Sequence, residues 1–282
     1  APTAPPRDQT FRLGRVPYGD LFGPPWRLPL TPGPVASLLT DFGCPWACAF
    51  CNSGRHVLGY KVRAMDEVAG DLVRLTRLGA TQIYLRDMTF GARRDHAMRV
   101  LARTAKHAVT LRAFLRADVV DAPFARALRR GHLTLAQIGV EAPTADRRRA
   151  MGKVLADDAV TRAFRVLAEE GIAAGAHFVV GLAGDPPDAV ARCLAQANAL
   201  GAAYVSINVY SHRHGCAPQQ AVAPDALARL ARDARLGMLR YNGRALLAQA
   251  VQTRLPLGVA RRLAARASAP KVASWLDRER AG

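Results

Sequence analysis

The chain has 282 residues, and its 40 lysine and arginine residues against 22 aspartate and glutamate residues give a formal net charge of +18. Hydrophobic residues make up 50% of the chain, which excludes a mainly disordered protein. No uninterrupted apolar stretch approaches the roughly 20 residues that span a bilayer, and residues 1–12 lack the apolar run of a secretory signal. We therefore expect a globular protein with no membrane span and a cytoplasmic location.

The positive charge is unevenly distributed along the chain. Residues 226–282 carry 12 basic and 3 acidic residues, so this fifth of the chain holds half of the net charge. A basic field of this kind favours anionic partners of any sort, including phosphates, carboxylates, RNA and anionic lipid. The charge therefore predicts an anionic partner and does not choose among these classes.

Hydrophobic periodicity predicts the elements in chain order. Residues 1–35 are rich in proline and glycine and are predicted to form an extended leader. Helical patterns follow, and residues 65–78, for example, place four apolar side chains on one face. Between the helical patterns lie six apolar, β-prone runs, at residues 35–40, 81–85, 109–115, 134–140, 175–182 and 202–210.

Six strand–helix units in this order predict an α/β fold with a parallel sheet and helices outside it. Because six units are too few for a closed eight-stranded barrel, we predict a partial (β/α)6 TIM-like barrel over residues 36–215, with a doubly wound sheet as the alternative. Residues 216–282 are predicted to form a basic helical C-terminal extension, with helices at residues 226–248 and 258–275. In either fold, ligands gather at the carboxyl ends of the strands.

Three of the five cysteines lie together, directly after the first predicted strand. Cys44, Cys48 and Cys51 form a C-x3-C-x2-C array, which suits an iron–sulfur cluster that takes three thiolates and leaves the fourth iron open. An odd number of cysteines with three crowded together argues against a disulfide framework. The alternative is a zinc site formed by the three cysteines and His56. Cys193 lies in a helical pattern and is predicted to pack in the core.

The cysteine array and the segments after it resemble the radical S-adenosylmethionine (SAM) superfamily. They are most similar to the core domain of the branch that usually carries an amino-terminal cobalamin-binding domain. The 43 residues before Cys44 are too few for that domain, so cobalamin is not expected, and too few cysteines remain for an auxiliary cluster. The segments that carry the resemblance, in the family's order, are residues 44–51, 63–67, 84–90, 115–118, 138–141, 151–153 and 178–184.

The resemblance implies a [4Fe-4S] cluster on the three cysteines that binds SAM and cleaves it to a 5′-deoxyadenosyl radical. It also implies an electron donor such as flavodoxin or ferredoxin. Backbone groups around Phe50 and the turn from Gly181 to Gly184 would hold the adenine.

The same resemblance assigns four charged residues to SAM. Asp87 would meet the methionine ammonium, Glu141 the ribose hydroxyls or the ammonium, and Arg116 or Lys153 the SAM carboxylate. As alternatives, Asp87 and Glu141 could cap the helices that follow them, and the two basic side chains could lie on a solvated surface.

The segment after the last predicted strand carries the candidate substrate residues. Tyr210 and Cys216 could return a hydrogen atom to a substrate radical, and His212, Arg213 and His214 could bind an anionic substrate. The alternative is a solvated polar loop.

We therefore predict a radical SAM enzyme that abstracts hydrogen from an anionic small molecule of a biosynthetic pathway. Rearrangement, dehydrogenation, epimerisation and cyclisation remain open. The enzymatic alternative is a radical SAM methyltransferase that acts on a small molecule or RNA, with cobalamin supplied by a partner chain. The non-enzymatic alternative is a zinc-stabilised basic RNA-binding module.

Overall fold

The computed structural model describes residues 34–51, 59–210 and 221–243, together with the backbone of residues 10–11, 26–27 and 244–252. In this part of the chain the strands are β1 (Thr10–Phe11), β2 (Trp26–Arg27), β3 (Pro34–Leu38), β4 (Asp41–Phe42), β5 (Lys61–Arg63), β6 (Gln82–Leu85), β7 (Thr110–Leu115), β8 (Leu133–Glu141), β9 (Ala173–Val180) and β10 (Tyr204–Val209).

Helices alternate with these strands from β5 onward. Most of them contribute an apolar face. In the helix predicted at residues 65–78, Val68, Leu72 and Leu75 are buried as predicted, whereas Leu78, the fourth residue of the predicted face, follows the helix and is 49% exposed. The described helices are α1 (Met65–Arg77), α2 (Arg94–Thr104), a single 3-10 turn (Ala117–Val119), α3 (Ala122–Arg130), α4 (Ala145–Ala150), α5 (Asp157–Glu169), α6 (Ala189–Ala199) and α7 (Pro224–Gln252).

The main sheet has the strand order β10-β9-β8-β7-β6-β3-β2. Six of its strands are parallel, namely β3, β6, β7, β8, β9 and β10, and β2 adds an antiparallel edge. All six predicted strands are present, within about two residues of their predicted bounds. Because the order follows the chain without a reversal, the sheet is a curled half-barrel, and the doubly wound alternative is wrong.

Each barrel strand divides its side chains between two faces. On β7, Leu111, Ala113 and Leu115 are buried and share one core with side chains of the surrounding helices. The alternate residues, Arg112 and Phe114, are half-buried and lie on the concave face. We call this inner face of the sheet the lumen. Its side chains are only half-buried because helices do not cover this face.

The ends of the chain add smaller elements to the barrel. In the predicted leader, β1 pairs with β5 and β2 pairs with β3, so both short strands are attached to later ones. The predicted helix at residues 226–248 is confirmed as part of α7. The helix predicted at residues 258–275 lies outside the described residues. None of the described helices has both the length and the hydropathy that a membrane span needs.

Candidate active site

The carboxyl ends of the parallel strands bring most of the predicted site residues to one edge of the half-barrel. The cysteine segment follows β3 and β4, and the remaining residues each follow or end a later strand. In chain order these are Asp87 after β6, Arg116 after β7, Glu141 at the end of β8, Gly181 after β9 and Tyr210 after β10.

The cysteine loop, residues 43–51, is held by backbone contacts. Cys44, Cys48 and Cys51 are half-buried, and the Cys51 amide donates to the Cys48 carbonyl at 3.1 Å. Gly43 has φ +77°, and a Cβ there would lie 2.6 Å from the Gly59 carbonyl oxygen, so this entry to the loop requires glycine. The Ala49 amide donates to the Met151 carbonyl at 3.1 Å, which ties the loop to the segment after β8.

Asp87 supports the chain just before the cysteine loop. Its Oδ1 accepts from the amides of Thr40, at 2.6 Å, and Asp41, at 3.0 Å, and its Oδ2 accepts from the Thr40 hydroxyl at 2.5 Å. The side chain is only 1% exposed. Both oxygens are thus engaged by the chain's own donors. This packing favours a positioning role for Asp87, and its assignment to the SAM ammonium stays a prediction.

A set of buried polar side chains next to Asp87 was not predicted from the sequence. The Tyr60 hydroxyl donates to Asp41 Oδ2 at 3.1 Å, and His96 Nε2 donates to the Thr40 carbonyl at 2.9 Å. Burial, together with the neighbouring Asp87 carboxylate, raises the pKa of Asp41 well above its usual value. The signal available in the sequence was the Asp41 next to the first strand, but the Tyr60 and His96 partners are distant in the chain.

Arg116 lies between the cysteine loop and the segment after β8. Its Nε donates to both carboxylate oxygens of Asp118, at 2.9 and 3.1 Å, and its Nη2 donates to the Val154 carbonyl at 2.6 Å. Nη1 lies 3.9 Å from Cys48 Sγ, and the guanidinium lies over the Trp46 ring at 4.9 Å. Arg116 is 5% exposed, so the solvated-surface alternative is wrong for this residue.

Glu141 and Lys153 form a half-buried ion pair beside Cys48. Lys153 Nζ donates to Glu141 Oε1 at 2.9 Å and to the Gly139 carbonyl at 2.7 Å. Lys153 is 4% exposed, so it does not lie on the solvated surface either. Glu141 has φ +68°, a left-handed conformation that is uncommon without glycine, which turns its side chain back toward Lys153. Since Thr144 caps α4, Glu141 does not serve as that helix's cap.

Arg148 organises the turn that carries Lys153, and no pattern in the sequence singles it out. The side chain is fully buried. Its Nε donates to the Leu155 carbonyl at 2.9 Å, its Nη1 donates to the Ala142 carbonyl at 2.7 Å, and its Nη2 pairs with Asp157. These bonds join both ends of residues 142–157 and so hold Lys153 in place.

The turn from Gly181 to Gly184 is closed by the chain's own carboxylate. Asp185 Oδ2 accepts from the amides of Gly181, at 2.7 Å, and Leu182, at 3.1 Å, and Asp185 Oδ1 accepts from Arg147 Nε at 2.8 Å. Gly181 and Gly184 have φ +97° and +83°, which explains both glycines. The turn lies at the predicted edge, and its contact with adenine stays a prediction.

Phe50 and Tyr210 meet in a small apolar cluster at the same edge. Buried Tyr210 packs with Ala142, Met151 and Leu182, and Phe50 packs against this group. The cluster joins the cysteine loop to the ends of the last three strands. It therefore brings together the two aromatic residues that the sequence placed in the site.

The three thiols of the cysteine loop, with the side chains of Arg116 and Lys153 nearby, form a set of ligands and positive charges that fits a negatively charged iron–sulfur cluster. Burial raises the pKa of Cys44 and of Cys48, and Lys153 and Arg116 oppose that rise at Cys48. Among the described residues, no three Cys, His, Asp or Glu side chains converge on one metal ion. Cysteines that each bind a different iron of a cubic cluster do not need to converge on one point.

Five residues named from the sequence lie outside the described part of the chain. They are His56, which belonged to the zinc alternative, and the substrate candidates His212, Arg213, His214 and Cys216. The predictions for these residues are untested. Cys193, by contrast, is buried in α6, as predicted.

The family model of the radical SAM superfamily matches residues 40–197, more than half of the chain. The chain belongs to the radical SAM superfamily. It is therefore a radical SAM enzyme, and this membership implies a [4Fe-4S] cluster and SAM as cofactors. Membership in an enzyme superfamily also decides against the zinc-stabilised RNA-binding module. A comparison with curated proteins finds no match.

Solved radical SAM structures share the fold at low sequence identity. The methyltransferase TsrM from Kitasatospora setae, solved with cobalamin and a [4Fe-4S] cluster, has a TM-score of 0.57 and 20% identity over 63% of this chain and 37% of its own. Coproporphyrinogen III oxidase (HemN) from Escherichia coli has a TM-score of 0.57 and 14% identity over 75% of this chain and 53% of its own. Methylornithine synthase (PylB) has a TM-score of 0.55 and 13% identity over 76% and 64%. The chain thus spans about a third to two thirds of these radical SAM proteins.

Proposed function

We propose that this radical SAM enzyme abstracts a hydrogen atom from an anionic small molecule bound in the lumen. When bound, the [4Fe-4S] cluster and SAM supply the one-electron cleavage of SAM that generates the abstracting radical. The observation that carries the proposal is the half-buried face of polar and aromatic side chains below the cysteine loop, which includes Tyr84, Phe114, His177 and Tyr204. A closed, fully packed barrel would bury such side chains instead.

Residues at the edge would hold the two cofactors. Cys44, Cys48 and Cys51 would bind the cluster, whose negative charge Arg116 and Lys153 would balance. Glu141 accepts from Lys153 with one oxygen, which leaves its second oxygen for a ribose hydroxyl or an ammonium group of SAM. The apolar cluster around Phe50 and Tyr210 would exclude water from that edge.

The proposal is tested by reconstituting the protein with iron and sulfide without oxygen, reducing it with SAM, and identifying the SAM-derived products by mass spectrometry. We expect 5′-deoxyadenosine from the wild type and none above background from Cys44→Ala, Cys48→Ala or Cys51→Ala. Cys193→Ala is the matched control, because this thiol on α6 is buried in the hydrophobic core. This variant should still form 5′-deoxyadenosine. Persistent 5′-deoxyadenosine in the loop variants, or a zinc-loaded, colourless wild type, would refute the assignment.

A methyltransferase is the second candidate, because the structural neighbours include TsrM, which is described as a methyltransferase with cobalamin. The expectation that cobalamin is not a cofactor stays a prediction, since the chain spans only 37% of TsrM. The same product analysis, repeated with methylcobalamin, separates the two functions. Release of S-adenosylhomocysteine would favour methyl transfer, and 5′-deoxyadenosine alone would favour hydrogen abstraction.

A further inference from the structure

Four rings form a continuous wall on one side of the lumen. The centroids of Tyr84 and Phe114 are 5.9 Å apart, those of Phe114 and His177 are 5.3 Å apart, and those of His177 and Tyr204 are 5.5 Å apart. Two hydrogen bonds fix the wall, from Gln137 Nε2 to the Tyr84 hydroxyl at 2.6 Å and between His177 Nε2 and the Tyr204 hydroxyl at 2.7 Å. The guanidinium of Arg86 lies over one face of Tyr84, 4.8 Å from the ring centroid. Because the rings are half-buried and not fully packed, their remaining surface is left for a ligand.

Glycine makes room for this wall. A Cβ at position 175 would lie 2.0 Å from a ring carbon of Tyr204, so the Tyr204 ring lies directly over Gly175. These two residues face each other across β9 and β10. The bare backbone at Gly175 therefore allows Tyr204 to reach His177.

Arg112 stands next to the wall, and in the part of the chain that the structure describes no carboxylate lies within 4.0 Å of its guanidinium. It is the register partner of Tyr84 in the sheet. Burial raises the pKa of Tyr84 and of Tyr204, and the positive charge of Arg112 opposes that rise at both tyrosines. Eight arginines in the described residues are buried or half-buried, and the other seven each have a carboxylate within 4.0 Å. Those seven are Arg63, Arg74, Arg93, Arg94, Arg116, Arg147 and Arg148.

A half-buried guanidinium without a counter-charge is costly, and an anionic ligand removes that cost. We propose that Arg112 binds the anionic group of the substrate, and that the four-ring wall holds an unsaturated ring of the same molecule. The substrate class is thus a small molecule with a carboxylate or phosphate on a flat ring system. This inference rests on the proposed function, because it takes the lumen as the substrate site.

The position of Arg112 along β7 also sets the length of the substrate. Arg116, which contacts the cysteine loop, lies four residues further on, and four residues of strand span about 13 Å. The hydrogen atom to be abstracted must therefore lie several bonds away from the anionic group. A molecule as short as acetate or pyruvate would not reach from Arg112 to the cofactor edge.

The experiment measures the binding of benzoate, phenyl phosphate and neutral benzyl alcohol to the reconstituted full chain by ligand-detected NMR. We expect at least one of the two anions to bind the wild type, and the alcohol to bind at least about tenfold more weakly. In Arg112→Gln the Kd of that anion should rise at least about tenfold. The Kd in Arg112→Lys should lie between those of the wild type and Arg112→Gln, because lysine keeps the positive charge but loses the planar guanidinium. The better anion identifies the substrate group as carboxylate or phosphate.

Arg126→Gln is the matched control, because Arg126 is exposed on α3, and it should bind the anion like the wild type. Arg112→Gln should fold normally, because no carboxylate among the described residues loses a partner, and Arg112→Lys provides the test if it does not. The proposal is overturned if neither anion binds the wild type, or if Kd is unchanged in both Arg112 variants. SAM cleavage by the wild type without any probe is measured separately, so failure of the proposed function is distinguishable.

Discussion

Gly139 leaves the space in which the Glu141–Lys153 pair forms. A Cβ at this position would lie 2.5 Å from Glu141 Oε1 and 3.0 Å from Lys153 Nζ. The Gly139 carbonyl also accepts from Lys153 Nζ. Two residues later, the left-handed backbone of Glu141 costs on the order of 1 kcal/mol. The pair is therefore held by two unusual backbone positions as well as by its own charges.

Gly139→Ala should displace the Glu141 side chain from Lys153, since Glu141 Oε1 would lie 2.5 Å from the added methyl group. We expect the Kd for SAM to rise at least about tenfold, measured by calorimetry on the reconstituted protein. Gly70→Ala in α1 is the control, because its Cβ would meet only Arg74 at an ordinary 3.7 Å. Unchanged SAM affinity in Gly139→Ala would remove the Glu141–Lys153 pair from the SAM site.

Single residues also show how far the sequence predicts the site. The sequence pattern placed Glu141 and Lys153 in the site, but their contact depends on the buried bonds of Arg148, which has no recognisable pattern. Asp87 was singled out from the sequence as a strand-end aspartate, and its role toward SAM stays a prediction. Its partners are mainly backbone amides of Thr40 and Asp41, and backbone donors leave no trace in residue type.

At the scale of elements, α7 completes the open edge of the sheet. Asn242 Oδ1 accepts from the Val205 amide at 2.8 Å, and its Nδ2 donates to the Val205 carbonyl at 2.8 Å. The Tyr241 hydroxyl donates to the Ala202 carbonyl at 2.8 Å, and Met238 Sδ accepts from the Ile207 amide at 3.1 Å. Side chains of one helix thus provide β10 with hydrogen bonds that a neighbouring strand would otherwise make.

Asn242→Ala should leave both backbone groups of Val205 without their partners. We expect the free energy of unfolding to fall by about 2 kcal/mol, measured by urea denaturation, and the Val205 amide to exchange faster with solvent. Arg240→Ala, an exposed change two residues earlier on the same helix, should alter stability by less than about 0.5 kcal/mol. Equal stability of the two variants would contradict this role of α7.

The sequence predicted the elements better than it predicted their partners. The six strands were recognisable because each buries one apolar row, and α1 because its stripe repeats at helical spacing. Helix α7 was also predicted, but its bonds to β10 were not. They pair residues 31 or 37 positions apart, and periodicity carries no information about such distant contacts.

For the whole molecule, one buried histidine, His96, and one half-buried histidine, His177, should make stability depend on pH. Burial lowers the pKa of His96 and of His177 to about 4, although a bond to Thr40 and the charge of Glu141, respectively, oppose this shift. Between about pH 4 and 6.5 the unfolded chain binds these protons and the folded protein does not. The free energy of unfolding contributed by each histidine therefore rises with pH in this window. Burial raises the pKa of Asp41 and Asp87, which acts in the opposite direction.

Comparison with His177→Gln isolates one histidine, because the carboxylates and His96 contribute equally to both proteins. As the pH falls from about 6.5 to 4, the free energy of unfolding of the wild type should fall relative to that of the variant by up to about 1.4 kcal/mol per pH unit. Urea denaturation across this range measures the difference. Tyr204→Phe removes the hydrogen-bond partner of His177 but keeps its imidazole half-buried, so this variant should follow the wild type. Parallel pH profiles for the wild type and His177→Gln would contradict the assignment.

The cover that α7 places on β10 also affects how copies of the protein meet. An exposed parallel edge offers a row of free amides and carbonyls to any other strand, including the same strand of a second copy. In this molecule the helix occupies the groups of Val205 and the Ile207 amide. Sheet extension between neighbouring copies is therefore blocked at the β10 edge of the half-barrel.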